Sequence, residues 1–321
     1  MRDYTIRRVL LIIPGVFILT VIVFTMVRLI PGDAVIIIAL QMSGGRSTSL
    51  TPELEARLRQ RLGLDKPIYM QYVTWIGDVA RGDLGRSMLT HTPVVDEIKK
   101  RFPVTLELVL MTLVLLVVWG LTIGTISAIN QDSLTDYIMR SIAILGLSVP
   151  FFWSAVLLLL FGSLWLNWSP PWGVISLREE PIKNLQQFFV PAMLLAISQG
   201  SAVARMTRAA ILEVLNQDYV RTARAKGLHE RVVIARHTMK NAMIPVVGLI
   251  GVQFAFALGG SVILEQIWGL PGMGNLMLTA VKQRDYPTIQ GVILFIGSLV
   301  MLVNVLVDLS YGWLNPRIRF N

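Results

Sequence analysis

The chain has 321 residues, 54% of them hydrophobic and only 15% charged, where a soluble domain carries roughly 25%. It has no cysteine, which excludes disulfides, thiolate catalysis and cysteine metal sites, and its three histidines (His91, His229, His237) share no helical i, i+4 spacing, so no metal site is expected. The formal net charge of +9 would point to nucleic acid in a soluble protein, but no nucleic-acid motif is present, and basic loops hold topology in a polytopic membrane protein.

Six uncharged apolar runs set the architecture: residues 9–27, 108–129, 141–166, 188–204, 242–264 and 286–307. Each reaches or nears the ~20 residues that cross a bilayer as a helix. Helix is the expected state, because lipid cannot satisfy the backbone of an open strand. The first run is longer than the h-region of a signal peptide and lacks a cleavage site after it, so it reads as an uncleaved first span.

Residues 31–103 separate the first two runs. Thr51-Pro-Glu-Leu54 carries helix-start chemistry, with Thr as N-cap and Pro at the first helical position, and Gly63 ends that helix. Residues 69–79 predict a second amphipathic helix, with Tyr72, Trp75, Ile76 and Val79 on one face. Gly82-Asp-Leu-Gly85 predicts a turn, and residues 93–102 a third helix leading into the second span. This small helical insertion reads either as a docking surface for an external partner or as a lid packed on the spans.

Further along, Glu107 is expected to open the second span, where an acidic side chain suits a helix N-terminus. Pro150 predicts a kink in the third. Arg205 and Arg208, at i, i+3, flank the fourth span, where snorkelling to the interface is the commoner explanation for such residues. Asn304 and Asp308 lie one turn apart in the sixth and are expected to pair with a basic residue of another helix. No chain of carboxylates runs through the bilayer centre, which counts against an ion-coupled pump. Nor is there a phosphate-binding loop, a nucleophile elbow or a convincing nucleophile–base set, so the chain reads as non-catalytic.

Segment 213–245, between the fourth and fifth spans, is basic: Arg221, Arg224, Lys226, Arg231, Arg236 and Lys240. Residues 217–226 predict a helix with Val220, Ala223 and Gly227 on one face and Arg221 and Arg224 on another, Asp218 lying one turn before Arg221. Gly227 permits a tight bend, a second helix follows over 230–241, and Pro245 is expected to start the fifth span. From the residues, two readings stay open: a helix pair on anionic headgroups, or a helix docked in the cleft of a soluble partner. Lys and Arg counts place this loop and both termini on the cytosolic side. The long segment 31–103 falls outside, and its ten Lys and Arg weigh little because long loops translocate largely regardless of charge.

The stretch Tyr219-Val-Arg-Thr-Ala-Arg-Ala-Lys-Gly227 resembles the coupling loop of binding-protein-dependent ABC transporter permeases, in which Glu-Ala-Ala precedes a nearby glycine. Ala223 and Gly227 fit that pattern; Arg221 and Thr222 depart from it, as does the dipeptide/oligopeptide branch. The same branch is similar at Arg28-Leu-Ile-Pro-Gly-Asp33, Leu62-Gly-Leu-Asp-Lys-Pro67, Gly82-Asp-Leu-Gly85, Glu265-Gln-Ile-Trp-Gly-Leu-Pro-Gly-Met-Gly274, Arg284-Asp-Tyr-Pro287, Asn304-Val-Leu-Val-Asp308 and Asn315-Pro-Arg-Ile-Arg319. The Leu62–Pro67 segment and the large first external loop resemble the first, "B"-type, permease of such systems.

The resemblance implies an all-α membrane protein with six transmembrane helices in the type I ABC importer permease fold. Residues 1–30 would hold the N-terminal tail and first helix, 31–103 the extracytoplasmic insertion, and 104–321 a five-helix core with its cytosolic coupling loop at 213–242. It implies a permease importing di- or oligopeptides, or a related solute such as a nickel chelate, glutathione or an oligosaccharide. Implied partners are a homologous second permease, two cytosolic ATPases and an extracytoplasmic solute-binding protein, in a bacterial plasma membrane. ATP and Mg would sit on the ATPases, with no cofactor in this chain. Asp218, Tyr219, Val220, Arg221, Thr222, Ala223, Arg224, Ala225, Lys226 and Gly227 would meet an ATPase. Trp268, Gly269, Pro271, Gly272, Asp285 and Tyr286 would form an outer gate or binding-protein contact, or else only a packed connector. The competing reading is a self-sufficient secondary transporter or channel.

Overall fold

The computed structural model describes residues 2–29, 52–61, 65–171 and 173–314. Thr51, residues 30–33 and 62–64, and the motif at 315–319 lie outside the described residues. Regular structure among the described residues is helical, apart from one isolated antiparallel bridge between Arg86 and Pro93. The helices in chain order are α1 Arg2–Leu10, α2 Ile12–Leu29, α3 Pro52–Arg61, α4 Ile68–Ala80, α5 Val94–Ile129, α6 Leu134–Ser148, α7 Phe151–Leu166, α8 Pro181–Leu215, α9 Asp218–Ala225, α10 Glu230–Val232, α11 Met239–Trp268, α12 Met273–Gln283 and α13 Tyr286–Leu314. A π-helical segment, Val233–Thr238, joins α10 to α11.

Among the described residues, five helical stretches are long and apolar enough to cross a membrane: Thr5–Leu29, Val94–Ile129, Pro181–Leu215, Glu230–Trp268 and Tyr286–Ser310. The bent pair α6–α7 makes a sixth if it counts as one span. Its break is sharper than the expected kink: the two helices meet at 89°. Pro150 caps α7 rather than bending a continuous helix, because its ring and missing N–H end α6 before it.

Three expectations need correction. The short helix over 93–102 and the second span are one 36-residue helix, α5, with Pro103 inside it. Glu107 therefore lies well inside a helix, not at its N-terminus. Pro245 likewise lies inside α11 rather than at the start of the fifth span. In both helices the lost N–H bond is local, and the flanking backbone keeps the helix running.

The chain divides into two compact units. The first comprises residues 1–12, 103–274 and 300–321. At its centre α8 packs on α11 and α6, with Leu116, Val203, Ile211, Ala242 and Val246 in one buried cluster. Between α5 and α8 the backbones approach closely: a Cβ on Gly124 would lie 2.5 Å from the Ala204 carbonyl oxygen. Small residues allow this contact, which replaces the hydrophobic drive that lipid does not supply. Within the same unit Arg8 pairs with Asp308 at 2.8 Å, the basic partner on another helix expected for that aspartate.

The second unit comprises residues 13–102 and 275–299. There α4 lays Tyr72 and Trp75, from the face predicted, against Phe24 of α2 at 5.2 and 5.7 Å between ring centroids. Thr20 and Tyr72 share a hydroxyl hydrogen bond of 2.8 Å. The predicted turn is present: Gly82 and Gly85 have φ of +84° and +83°, and the Gly85 N–H donates to Asp83 Oδ1 at 2.8 Å.

Candidate functional site

The basic loop folds into a braced helical module. Helix α9 spans eight residues, and at its end Gly227 takes φ +77°, a left-handed conformation that residues with a Cβ adopt at a cost. The bend turns the chain into α10, whose start is capped by the His229 side chain accepting from the Arg231 N–H. Helix–Gly–helix is legible in the sequence. The continuation is not: α10, the π segment and α11 form one helical run into the fifth span.

Val220 and Ala223, two of the residues predicted to form a docking face, instead close a small core inside the chain. They are 0% and 5% exposed and pack with Val233, against Val214 and Leu215. This correction has a simple cause. The module lies outside the apolar runs, and burying each valine there is worth about 1.5 kcal/mol or more. The chain's own π segment supplies the cover. Asn241 Nδ2 also donates to Tyr219 Oη at 2.7 Å, tying α9 to α11. Arg224 donates to both oxygens of Glu230, Nε to Oε2 at 3.1 Å and Nη2 to Oε1 at 2.7 Å. That hydrogen bonding raises the Arg224 guanidinium above its ordinary pKa.

What α9 presents outward is the rest. Asp218, Tyr219, Arg221, Thr222, Arg224, Ala225, Lys226 and Gly227 are exposed, followed by Leu228 and Val232. The outward face mixes a cation with no ion pair among the described residues (Lys226), a weakly paired cation (Arg221, 3.6 Å from Asp218) and exposed apolar surface. It is rigid, because α9 is held at Val220, Tyr219 and Arg224 at once.

A second brace escapes the sequence reading. Asp136, near the start of α6, is fully buried and accepts from Arg208 of α8, Nε to Oδ1 at 2.9 Å and Nη2 to Oδ2 at 2.7 Å. Ser127 Oγ and the Asp132 N–H complete its shell. Arg208 is therefore an internal partner rather than a snorkelling side chain. The available signal is Ser133-Leu-Thr-Asp136, a helix-start pattern in which Ser133 Oγ accepts the Asp136 N–H.

The residues expected at an outer gate are mostly engaged inside the chain. Gly269 ends α11 with φ +65° and is exposed, whereas Trp268 and Gly272 are buried and Pro271 is partly so. The buried Glu265 carboxylate accepts from Thr105 Oγ1 at 2.6 Å, and Thr105 in turn accepts the Met273 N–H at 2.7 Å. A Cβ on Gly272 would lie within 2.5 Å of that carboxylate. In the other unit Asp285 accepts from Ser87 Oγ at 2.5 Å, the Met88 N–H at 3.0 Å and Thr288 Oγ1 at 2.7 Å, while Tyr286 is buried. These contacts pack each segment within its own unit. Among the described residues no cluster of His, Asp and Glu could hold a metal.

The family described as the binding-protein-dependent transport system inner membrane component matches residues 120–320, and its N-terminal counterpart matches residues 1–109. The chain is 39% identical over 321 residues to a Brucella abortus chain provisionally named a peptide transport system permease, covering 100% of both. It is 40% identical over 320 residues to the glutathione transport system permease protein GsiC of Escherichia coli, again covering 100% of each. Against the di/tripeptide transport system permease protein DppB of Pseudomonas aeruginosa it is 39% identical over 339 residues, 99% of each. A structure of the MetNI methionine ABC transporter in an inward-facing conformation aligns with a TM-score of 0.55 at 16% identity, over 68% of this chain and 96% of that one, which supports the fold. Full-length relatives that are transporter subunits set aside the self-sufficient channel. The chain belongs to the binding-protein-dependent transport system inner membrane components, the permease subunits of ABC importers.

Proposed function

We propose that α9 and the Gly227 turn are the docking element for a cytosolic ATPase, and that the chain is the first of two homologous permeases in an importer of short peptides or glutathione. The observation that carries this is the cross-braced, outward-facing basic surface of α9, set between two long spans. A helix resting on lipid would turn its apolar side outward; here Val220 and Ala223 face the chain itself. The cargo reading rests on the peptide- and glutathione-transport names of the full-length relatives.

In this reading two ATPases, which hold ATP and Mg, close on nucleotide and carry α9 with them. Because α9 is locked to α8 and α11, the movement passes to both spans and reorients the pathway for solute delivered by a binding protein. The nucleotide need only favour one permease state over the other. Both termini and α9 lie in the cytosol. Co-purification tests this: the chain brings down two ATPases and a sister permease, and Arg221→Glu/Lys226→Glu releases the ATPases but not the sister. Retention of the ATPases by that variant, at low and high salt alike, would argue for another docking surface.

A further inference from the structure

A second basic feature lies apart from α9. An open cavity of about 720 Å³ is formed within the first unit by α5, α6, α8 and one residue of α11. Ile123, Ala143, Ile144 and Leu249 contribute apolar wall, and three arginines, Arg140, Arg205 and Arg208, line it. Among the described residues no carboxylate lines it. The charge of Arg208 is met by Asp136 behind the wall. Arg140 and Arg205 have no ion pair among the described residues, and Arg140 rests over the Tyr137 ring at 5.7 Å.

The level of these two cations is informative. Arg140 immediately precedes the apolar run 141–166, and Arg205 immediately follows the run 188–204. Both therefore stand at the edge of the hydrocarbon layer, on the side of the basic loop. Both are exposed, so their guanidinium heads reach the interface, as basic side chains at span ends do. Two unpaired guanidiniums beside an apolar wall fit an oxyanion attached to an apolar body. Guanidinium binds phosphate and carboxylate through paired hydrogen bonds, and basic pockets between spans on the cytosolic side hold anionic headgroups.

We propose that this cavity is an anion site, with Arg140 and Arg205 holding a phosphate or carboxylate oxygen group and Ile123, Ala143, Ile144 and Leu249 covering the attached chain. An acidic phospholipid of the adjoining leaflet and the terminal carboxylate of a passing peptide offer the same chemistry. The site stands independently of the ATPase-docking reading.

The test uses the intact purified complex. It is titrated in detergent with phosphatidylglycerol and, separately, phosphatidylcholine, and bound lipid is counted by native mass spectrometry. In a second arm, complexes in phosphatidylcholine vesicles import a tripeptide as free acid or as C-terminal amide. Loss of the Arg140 and Arg205 charges by Arg140→Gln/Arg205→Gln is expected to weaken phosphatidylglycerol binding about tenfold, or to abolish preference for the free acid. The first result assigns the anion to lipid and the second to cargo. Arg140→Lys/Arg205→Lys keeps most of the effect. If the double variant does not assemble, Arg140→Gln alone, at an exposed position, gives the same readouts. Variants that bind phosphatidylglycerol and discriminate the amide as the wild type does would overturn the proposal. The lipid arm needs no ATP turnover, so its failure is distinct from a failure of coupling.

Discussion

Arg208 holds Asp136 through two parallel hydrogen bonds of 2.9 and 2.7 Å, and the aspartate is fully buried. The pair locks the start of α6 to α8, the helix that leads into α9. Fork-to-carboxylate geometry of this kind fixes orientation as well as distance. Removing one partner leaves the other charge without compensation. Asp136→Ala should destabilise the chain by about 3 kcal/mol, and Asp136→Ala/Arg208→Leu should recover part of that loss. Thermal unfolding of the detergent-solubilised complex measures it; a double variant no better than the single one would contradict the pairing.

Gly227 has φ +77°, and nothing lies within 4 Å of where a Cβ would sit, so substitution there strains the backbone without a clash. Gly227→Val should cost about 1–3 kcal/mol locally and lower import sharply, while the spans still insert. Gly227→Asn, which tolerates the left-handed region, should be milder. Import rate and ATPase association, measured on one membrane preparation, separate the two variants. Normal import by Gly227→Val would remove the turn from the coupling path.

The two sides of α9 should respond differently. Val220→Ala opens the small core and should loosen the module by about 2 kcal/mol, seen as faster amide exchange across 218–238. Lys226→Glu leaves that core intact and should weaken ATPase association in a salt-dependent way. Equal effects of both variants on exchange would mean that Lys226 is structural.

Gly272→Ala places a methyl group against the Glu265 carboxylate and should disrupt the turn between α11 and α12. Glu265→Ala removes the obstacle, so the double variant should fare better than the sum of the single ones. Complex yield after solubilisation is the readout, and strict additivity would contradict the contact.

Much of this is legible in the sequence because lipid imposes a simple rule: apolar runs of sufficient length become helices. The amphipathic face of α4, the Gly82–Gly85 turn and the Gly227 bend follow from local chemistry, and so does the need of Asp308 for a basic partner on another helix, though not that the partner is Arg8. Three things do not. The start of the α5 helix is hidden because Pro103 and Glu107 look like a boundary, yet helix continues through both. The inward packing of Val220 and Ala223 is hidden because their cover, Val233, sits on a π turn that shifts the register of the next helix. The role of Arg208 is hidden because its partner lies 72 positions away, on a helix whose start the apolar pattern does not mark.

Lys226 carries the central claim most directly, and the absence of native cysteine makes it easy to probe. Lys226→Cys should react with a membrane-impermeant maleimide only from the cytosolic side, and should cross-link to a partner ATPase with a yield that changes between nucleotide-free and ATP-bound complexes. Labelling from outside intact cells, or a cross-link to no ATPase in either state, would contradict α9 as the coupling element.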